Sequence, residues 1–200
     1  MREELREAVC AAYSDVAANP RQPHPFPVGR VFAAELGYPP SLLDHIPEPA
    51  VDAFTGVSNV SVFAALRAGE TVLDLGCGAG LDVLIASRRV GAAGRVYGVD
   101  FSLAMLGRAR LAAQAAAARN TAFLAAGGEC LPFAAGSVAV ALVNGIFNLN
   151  PARASIFTEL ARVVRPGGAV FGAELVLREP LDHQSLNPEP RPLSRADWFA

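Results

Sequence analysis

The run Asp74-Leu75-Gly76-Cys77-Gly78-Ala79-Gly80 puts a carboxylate at the head of a loop with three alternating glycines. Without a Cβ at those positions a ligand can approach the backbone closely. A dinucleotide fingerprint wants Gly-x-Gly-x-x-Gly, and its third glycine position is Leu81 here. An acid ahead of the loop repels a pyrophosphate and suits the ammonium end of an amino-acid tail. The alternative is an incidental tight turn. Asp100 follows at the spacing of about twenty residues at which an acid accepts both hydroxyls of a ribose. As a helix cap it competes poorly with Ser102. Phe101 could stack on a planar base or belong to the core. Asp82, just past the loop, and Tyr13 are the candidate proton acceptors. No metal site is expected. His24, His45 and His183 lack ligand spacing, and Cys10, Cys77 and Cys130 are odd in number and match no zinc pattern.

These residues need a scaffold, and the hydrophobic pattern supplies one. Residues 2–18 read as a helix with Leu5, Val9, Ala12 and Val16 on one face. Four prolines, Pro20, Pro23, Pro25 and Pro27, stop any helix there, and a short helix is expected around Ser41–His45. Residues 1–60 form a helical and loop-rich N-terminal layer. Strands are expected at 71–75, 95–100, 122–124, 138–143 and 169–177, with Arg165-Pro166-Gly167-Gly168 as a turn before the last. Helices are expected at 81–89, 102 to about 119, and 153–164. This alternation predicts an α/β fold, a doubly wound, mainly parallel sheet with helices on both faces. Right-handed crossovers bring the strands' C-terminal ends to one edge. The core is expected to span 61–178, truncated after the fifth strand, with 179–200 as a proline-rich tail. The fifth strand would leave an edge to be covered by the tail or by a second subunit in a homodimer.

Composition narrows the function classes. The chain has 200 residues, 52% hydrophobic and 18% charged, and a net charge of −2. Lysine is absent, and all 17 basic residues are arginine, scattered along the chain. No basic footprint exists for nucleic acid or an anionic membrane. The start is too charged for a secretory signal, and the uncharged run 131–152 is broken by Pro132, Gly136 and three asparagines. A reduced, cytoplasmic protein acting on a small molecule is the expectation.

Residues 70–177 resemble a class I S-adenosylmethionine-dependent methyltransferase. The resemblance rests on the glycine loop, Gly98-Val99-Asp100, Glu129-Cys130-Leu131-Pro132-Phe133 and Arg162-Val163-Val164-Arg165-Pro166-Gly167-Gly168. Over about residues 30–177 the chain is similar to the arsenite methyltransferase family, through Leu36-Gly37-Tyr38, Gly56-Val57-Ser58-Asn59, Gly80-Leu81-Asp82, Arg88-Arg89-Val90-Gly91, Met105-Leu106 and Asn144-Gly145-Ile146-Phe147-Asn148-Leu149. The resemblance implies a Rossmann-like fold and S-adenosylmethionine as cofactor. It implies that Asp74, Gly76, Cys77, Gly78 and Gly80 hold the methionine part and Asp100 the ribose. Gly128 and Glu129 would lie along the adenine, next to Phe101, while Asp82, Met105 and Asn144 line the pocket. Cys77 and Cys130 are expected to pack at the cofactor site.

The sequence departs from that family at telling places. Trivalent arsenic is held by soft thiolates. The family's cysteine before the glycine motif is Val57 here, and its cysteine after the fourth strand is Gly145. Position 127, where many relatives carry an acid facing the adenine amino group, is glycine, leaving backbone groups or Glu129 to substitute. The relatives also continue through a further helix and an antiparallel strand pair. Arsenite and other small acceptors both stay open, with the missing thiolates weighing against arsenite. Methyl transfer needs alignment and exclusion of water, and a base only when the nucleophile must shed a proton. The alternative to an enzyme is a catalytically weak or inactive cofactor-binding module.

Overall fold

A computed structural model of the chain describes residues 2–148 and 150–176. Five parallel strands form one sheet: β1 (Thr71–Leu75), β2 (Arg95–Asp100), β3 (Thr121–Ala125), β4 (Val138–Asn144) and β5 (Val164–Ala173). Their order is β3-β2-β1-β4-β5. The chain therefore winds outward from β1 to β3, then returns to β1's other side, and a crevice opens where the direction reverses.

Helices α6 (Leu81–Val90), α7 (Leu103–Ala115) and α8 (Arg153–Val163) link the strands. Side chains of β1 alternate between the two faces. Val72 packs with Val83, Ala86 and Leu106 of α6 and α7, while Leu73 and Leu75 pack with Ile156, Leu160 and Val163 of α8. Covered on both sides, β4 is buried along its whole length, which is why it reads as an unbroken apolar run.

Three expected boundaries move. The second crossover helix ends at Ala115, not near Arg119, because Ala117 takes φ +50° and Asn120 ties the turn to α6 through Ser87 and Gly91. An alanine run carries no stop signal, so propensity alone overran it. The segment Arg165–Gly168 is not a turn ahead of the strand. β5 pairs from Val164 onward, Val164 facing Val138 and Ala169 facing Val140, so these residues bulge out of a strand already under way. Gly167, at φ +76°, supplies the left-handed residue in the bulge. β5 also stops at Ala173, short of the expected Leu177: residues 174–176 have left the ladder, and Glu174 turns its carboxylate onto the amide of Phe147. Leu177 and the tail lie outside the described residues.

The N-terminal layer holds α1 (Arg2–Ala18), α2 (Gly29–Glu35), α3 (Pro40–Leu43), α4 (Glu48–Asp52) and α5 (Val60–Phe63). Tyr38, Leu43, Ile46, Ala50, Val51 and Phe54 pack on Leu81, Leu84 and Ile85 of α6 and on Ala112 and Ala113 of α7. Helix α1 lays Val9, Val16 and Ala17 against Ala79 and Met105. Arg108 of α7 holds the layer from below, donating to the carbonyls of Pro49 (2.9 Å) and Ala17 (3.0 Å). The layer thus walls the crevice. No helix among the described residues is long and apolar enough to cross a membrane.

Candidate active site

A cavity of about 400 Å³ occupies the crevice at the strands' C-terminal ends. Its floor is the loop after β1. Gly76 takes φ +74° because its amide and that of Cys77 turn back to donate to the Val99 carbonyl, at 2.8 and 3.0 Å. A Cβ at Gly76 would run into Ile146, so the position needs glycine for space as well as for backbone. Gly78 turns its amide onto Asp100 Oδ2 at 2.8 Å, and the amide of Ser102 donates to Asp100 Oδ1 at 2.8 Å. Asp100 is thereby fixed with lone pairs left for further donors. Ser102 caps α7, accepting from the Met105 amide, as its position in the sequence predicts.

Asp74 is the most exposed to consequence. It is buried, and its Oδ2 has no hydrogen-bond partner among the described residues. Burial pushes its carboxyl well above the ordinary range, and the nearby Asp82 and Asp100 push it further, against a hydrogen bond from the Val83 backbone. Burial raises Asp100 as well, opposed by the backbone donors of Ser102, Gly78 and Phe101. Three buried acids, Asp74, Asp82 and Asp100, face one cavity, and no cation among the described residues is paired to Asp74. Such a site suits a ligand that brings positive charge and donors.

Asp82 is differently placed. Its Oδ1 accepts from Tyr38 Oη at 2.7 Å, from the Ser61 hydroxyl and from the Ser61 amide, and its Oδ2 from Asn144 Nδ2 at 3.0 Å. Asn144 Oδ1 in turn accepts the amides of Val57 (2.8 Å) and Ser58 (3.0 Å). This network ties the ends of β4 and α6 to the 56–58 loop. Tyr13 lines the cavity from α1, its ring 5.4 Å from that of Phe26. Burial, then Asp100 and Glu174, raise its phenol, which stays protonated.

Cys77 is buried with its sulfur against Gly98, and burial raises its thiol too, so it packs rather than reacts. Phe101, Gly128 and Glu129 line the cavity. Met105 does not: it sits in the apolar cluster beneath α1. Cys130 is exposed and outside the lining, contrary to the expectation that it packs at the cofactor site. Its neighbour Glu129 takes the inward position instead. No group of three or more metal-ligating side chains occurs among the described residues.

Residues 72–168 match the family described as Methyltransferase domain. Over 155 residues the chain is 37% identical to the arsenite methyltransferase of Halobacterium salinarum, covering 77% of this chain and 39% of that protein. It is 36% identical over 106 residues to the demethylmenaquinone methyltransferase of Lactococcus lactis, covering 53% and 42%. The arsenic(III) S-adenosylmethionine methyltransferase of Chlamydomonas reinhardtii superposes with a TM-score of 0.61 at 29% identity, covering 79% of this chain and 52% of that one. The chain carries a class I S-adenosylmethionine-dependent methyltransferase domain, close to the arsenite methyltransferase family. The cofactor that this family and fold imply is S-adenosylmethionine. The chain spans about two fifths of the length of the curated relatives it matches.

The cavity also has lining residues that sequence reasoning did not single out as site candidates. Arg6, Phe54, Thr55 and Ile156 line the cavity, from α1, the N-terminal layer and α8. None has a local sequence signal. Gly56 and Ile146 stood inside quoted motifs, and geometry explains both: a Cβ on Gly56 would lie 2.6 Å from Asn144 Nδ2, and Ile146 closes over Gly76.

Proposed function

We propose that this chain transfers a methyl group from S-adenosylmethionine to a small acceptor other than trivalent arsenic. The observation that carries the cofactor site is the buried, unpartnered Oδ2 of Asp74 at the cavity wall. A cofactor with an ammonium and a sulfonium answers that oxygen, and the left-handed glycines leave its backbone cradle open. S-adenosylmethionine supplies an activated methyl on sulfur. Asp74 and the loop 76–80 would take the amino-acid end, Asp100 the ribose diol, and Phe101, Gly128 and Glu129 the base. Met105 supports this wall from beneath α1.

Asp82 and Asn144 act on the acceptor side by holding the 56–58 loop. With its oxygens engaged by Tyr38, Ser61 and Asn144, Asp82 positions rather than takes a proton. Tyr13, kept as a phenol by burial, is not a ready proton acceptor. The chain's contribution is therefore alignment and exclusion of water.

The acceptor argument rests on Val57 and Gly145. A Cβ on Gly145 would lie 2.8 Å from Val57 Cγ1, so the valine fills the space that a side chain at 145 would use. Thiols at these two positions would be neighbours, and here the same place is an apolar contact. Arsenite, which needs converging sulfurs, finds none. The test is methylated arsenic formed from arsenite, glutathione and S-adenosylmethionine, compared with methyl transfer to a panel of small phenols and hydroquinones. Turnover confined to the panel supports the reading, and robust arsenic methylation by the unmodified protein overturns it.

A further inference from the structure

The segment that follows β4 is held from outside the cavity. Ile146, Phe147 and Asn148 belong to no helix or strand, so no ladder fixes their backbone. Charged side chains do so instead. The amides of Phe147 and Asn148 donate to Glu174 Oε2 at 2.6 and 3.4 Å, and the Leu175 amide holds Oε1 at 3.0 Å. Arg153, at the start of α8, donates through Nε to the Phe147 carbonyl at 2.6 Å and through Nη2 to that of Asn148 at 3.1 Å. Phe147 is thus bonded to a charged group at both its N–H and its C=O, the stronger class of hydrogen bond. Its ring stacks on Phe157 with centroids 4.6 Å apart, and the Asn148 side chain donates to the Leu175 carbonyl.

The clamp leaves Ile146 in the cavity wall. Ile146 packs on the cluster that holds Leu75, Val143 and Ile156, and its Cγ2 lies where a side chain on Gly76 would have to go. On its other side is Gly145, whose missing Cβ faces Val57. Ile146 therefore stands where the glycine loop that takes the cofactor's amino-acid end meets the acceptor wall. A β-branched side chain has little rotamer freedom, and here its neighbouring backbone is fixed as well. Glu174 and Arg153 stand behind this wall, outside the cavity lining, so they can act on a ligand only through Ile146.

The sulfonium of S-adenosylmethionine joins the amino-acid end to the ribose, so the alkyl group on that sulfur must fit between the glycine loop and this wall. We propose that Ile146 sets the size of the group that the sulfonium can carry, admitting methyl and excluding larger alkyl groups, and that Glu174, with Arg153 opposite it, positions Ile146 for that task. Ile146 is then a specificity-determining residue for the donor, and Glu174 a positioning residue. This inference rests on the reading of the cavity as the S-adenosylmethionine site.

Calorimetric titration with S-adenosylmethionine and S-adenosylethionine tests it without any acceptor, since the two compounds differ by one methylene on the sulfur. The full chain should prefer the methyl compound by about tenfold or more, the scale of forcing a methylene into a packed wall. Ile146→Ala should bring the two affinities within about twofold of each other, the obstruction having gone. Ile146→Val, which removes one carbon, should fall between. Glu174→Ala should lower the preference and speed amide exchange at Phe147 and Asn148, while Glu174→Gln, which keeps an oxygen for the Phe147 amide, should retain most of it. A wild-type protein that binds both compounds equally, or a preference that is unchanged in both Ile146 variants, overturns the inference while leaving the cofactor site standing. Faster exchange at Phe147 in Glu174→Ala with the preference intact overturns the positioning role of Glu174. Binding of neither compound overturns the cofactor reading, and this inference with it.

Discussion

Replacing Asp74 with asparagine should stabilise the ligand-free protein and weaken its hold on the cofactor. Asp74 Oδ2 is buried without a partner, and the two charges nearest the group, on Asp82 and Asp100, have its own sign. Its carboxyl therefore keeps a proton in the folded chain at pH values where the unfolded chain, with an ordinary carboxylate near 3.9, has already lost it. From the unfolded value upward, the folded state holds one proton more than the unfolded state. Each pH unit in that window removes about 1.4 kcal/mol of stability, until the folded group ionises as well and the loss levels off. Asparagine has nothing to ionise. The variant's advantage should therefore be small near pH 4, grow with the same slope, and reach a plateau at higher pH.

Binding should move in the opposite direction. An ammonium on an ionised carboxylate is worth about 1.5–3 kcal/mol, so Asp74→Asn should weaken S-adenosylmethionine by roughly 10- to 150-fold. In the wild type, affinity should rise with pH as Asp74 ionises, with release of up to one proton per ligand bound below the folded value. Urea denaturation across pH 4–9, with calorimetry in buffers of different ionisation enthalpy, reads both effects. A variant that is less stable at pH 8 and binds the cofactor as tightly as the wild type would refute the reasoning.

The acceptor side offers two further tests. Asn144→Ala strips an amide partner from buried Asp82 and leaves the amides of Val57 and Ser58 unpaired, which should cost about 2–4 kcal/mol by thermal denaturation. It should raise the KM for the acceptor far more than the Kd for the cofactor, and an equal effect on both would remove Asn144 from the acceptor loop. Val57→Cys with Gly145→Cys should place two thiols side by side and create measurable arsenite affinity absent from the wild type, read by displacement of a thiol-reactive dye. The strain of a non-glycine residue at φ +77° should lower stability by about 1 kcal/mol. Tight arsenite binding by the unmodified chain would contradict the apolar reading of that contact.

What the sequence made legible was local. Asp74, the glycine loop and Asp100 lie within one strand–loop–helix–strand unit, where spacing and hydrophobic pattern carry the information, and the five strands followed from the same alternation. Helices α2, α4 and α5 went unread because one or two turns hold too few residues to show a period. The Asp82 network was illegible for a different reason. Asn144 reaches Asp82 across 62 positions and Val57 across 87, and no local pattern encodes a partner at that distance. Asp82 therefore read as a free acid near the loop, and only the fold shows its oxygens engaged. Arg6 meets Glu129 across 123 positions, beyond the same limit.

The most direct measurement is equilibrium binding of S-adenosylmethionine and NADH to the wild type and to Asp100→Ala. The account predicts micromolar or tighter binding of S-adenosylmethionine, loss of about 1–3 kcal/mol in the variant as the ribose hydroxyls lose a charged acceptor, and no comparable affinity for NADH. Tighter binding of NADH, or S-adenosylmethionine binding that Asp100→Ala leaves unchanged, would contradict it.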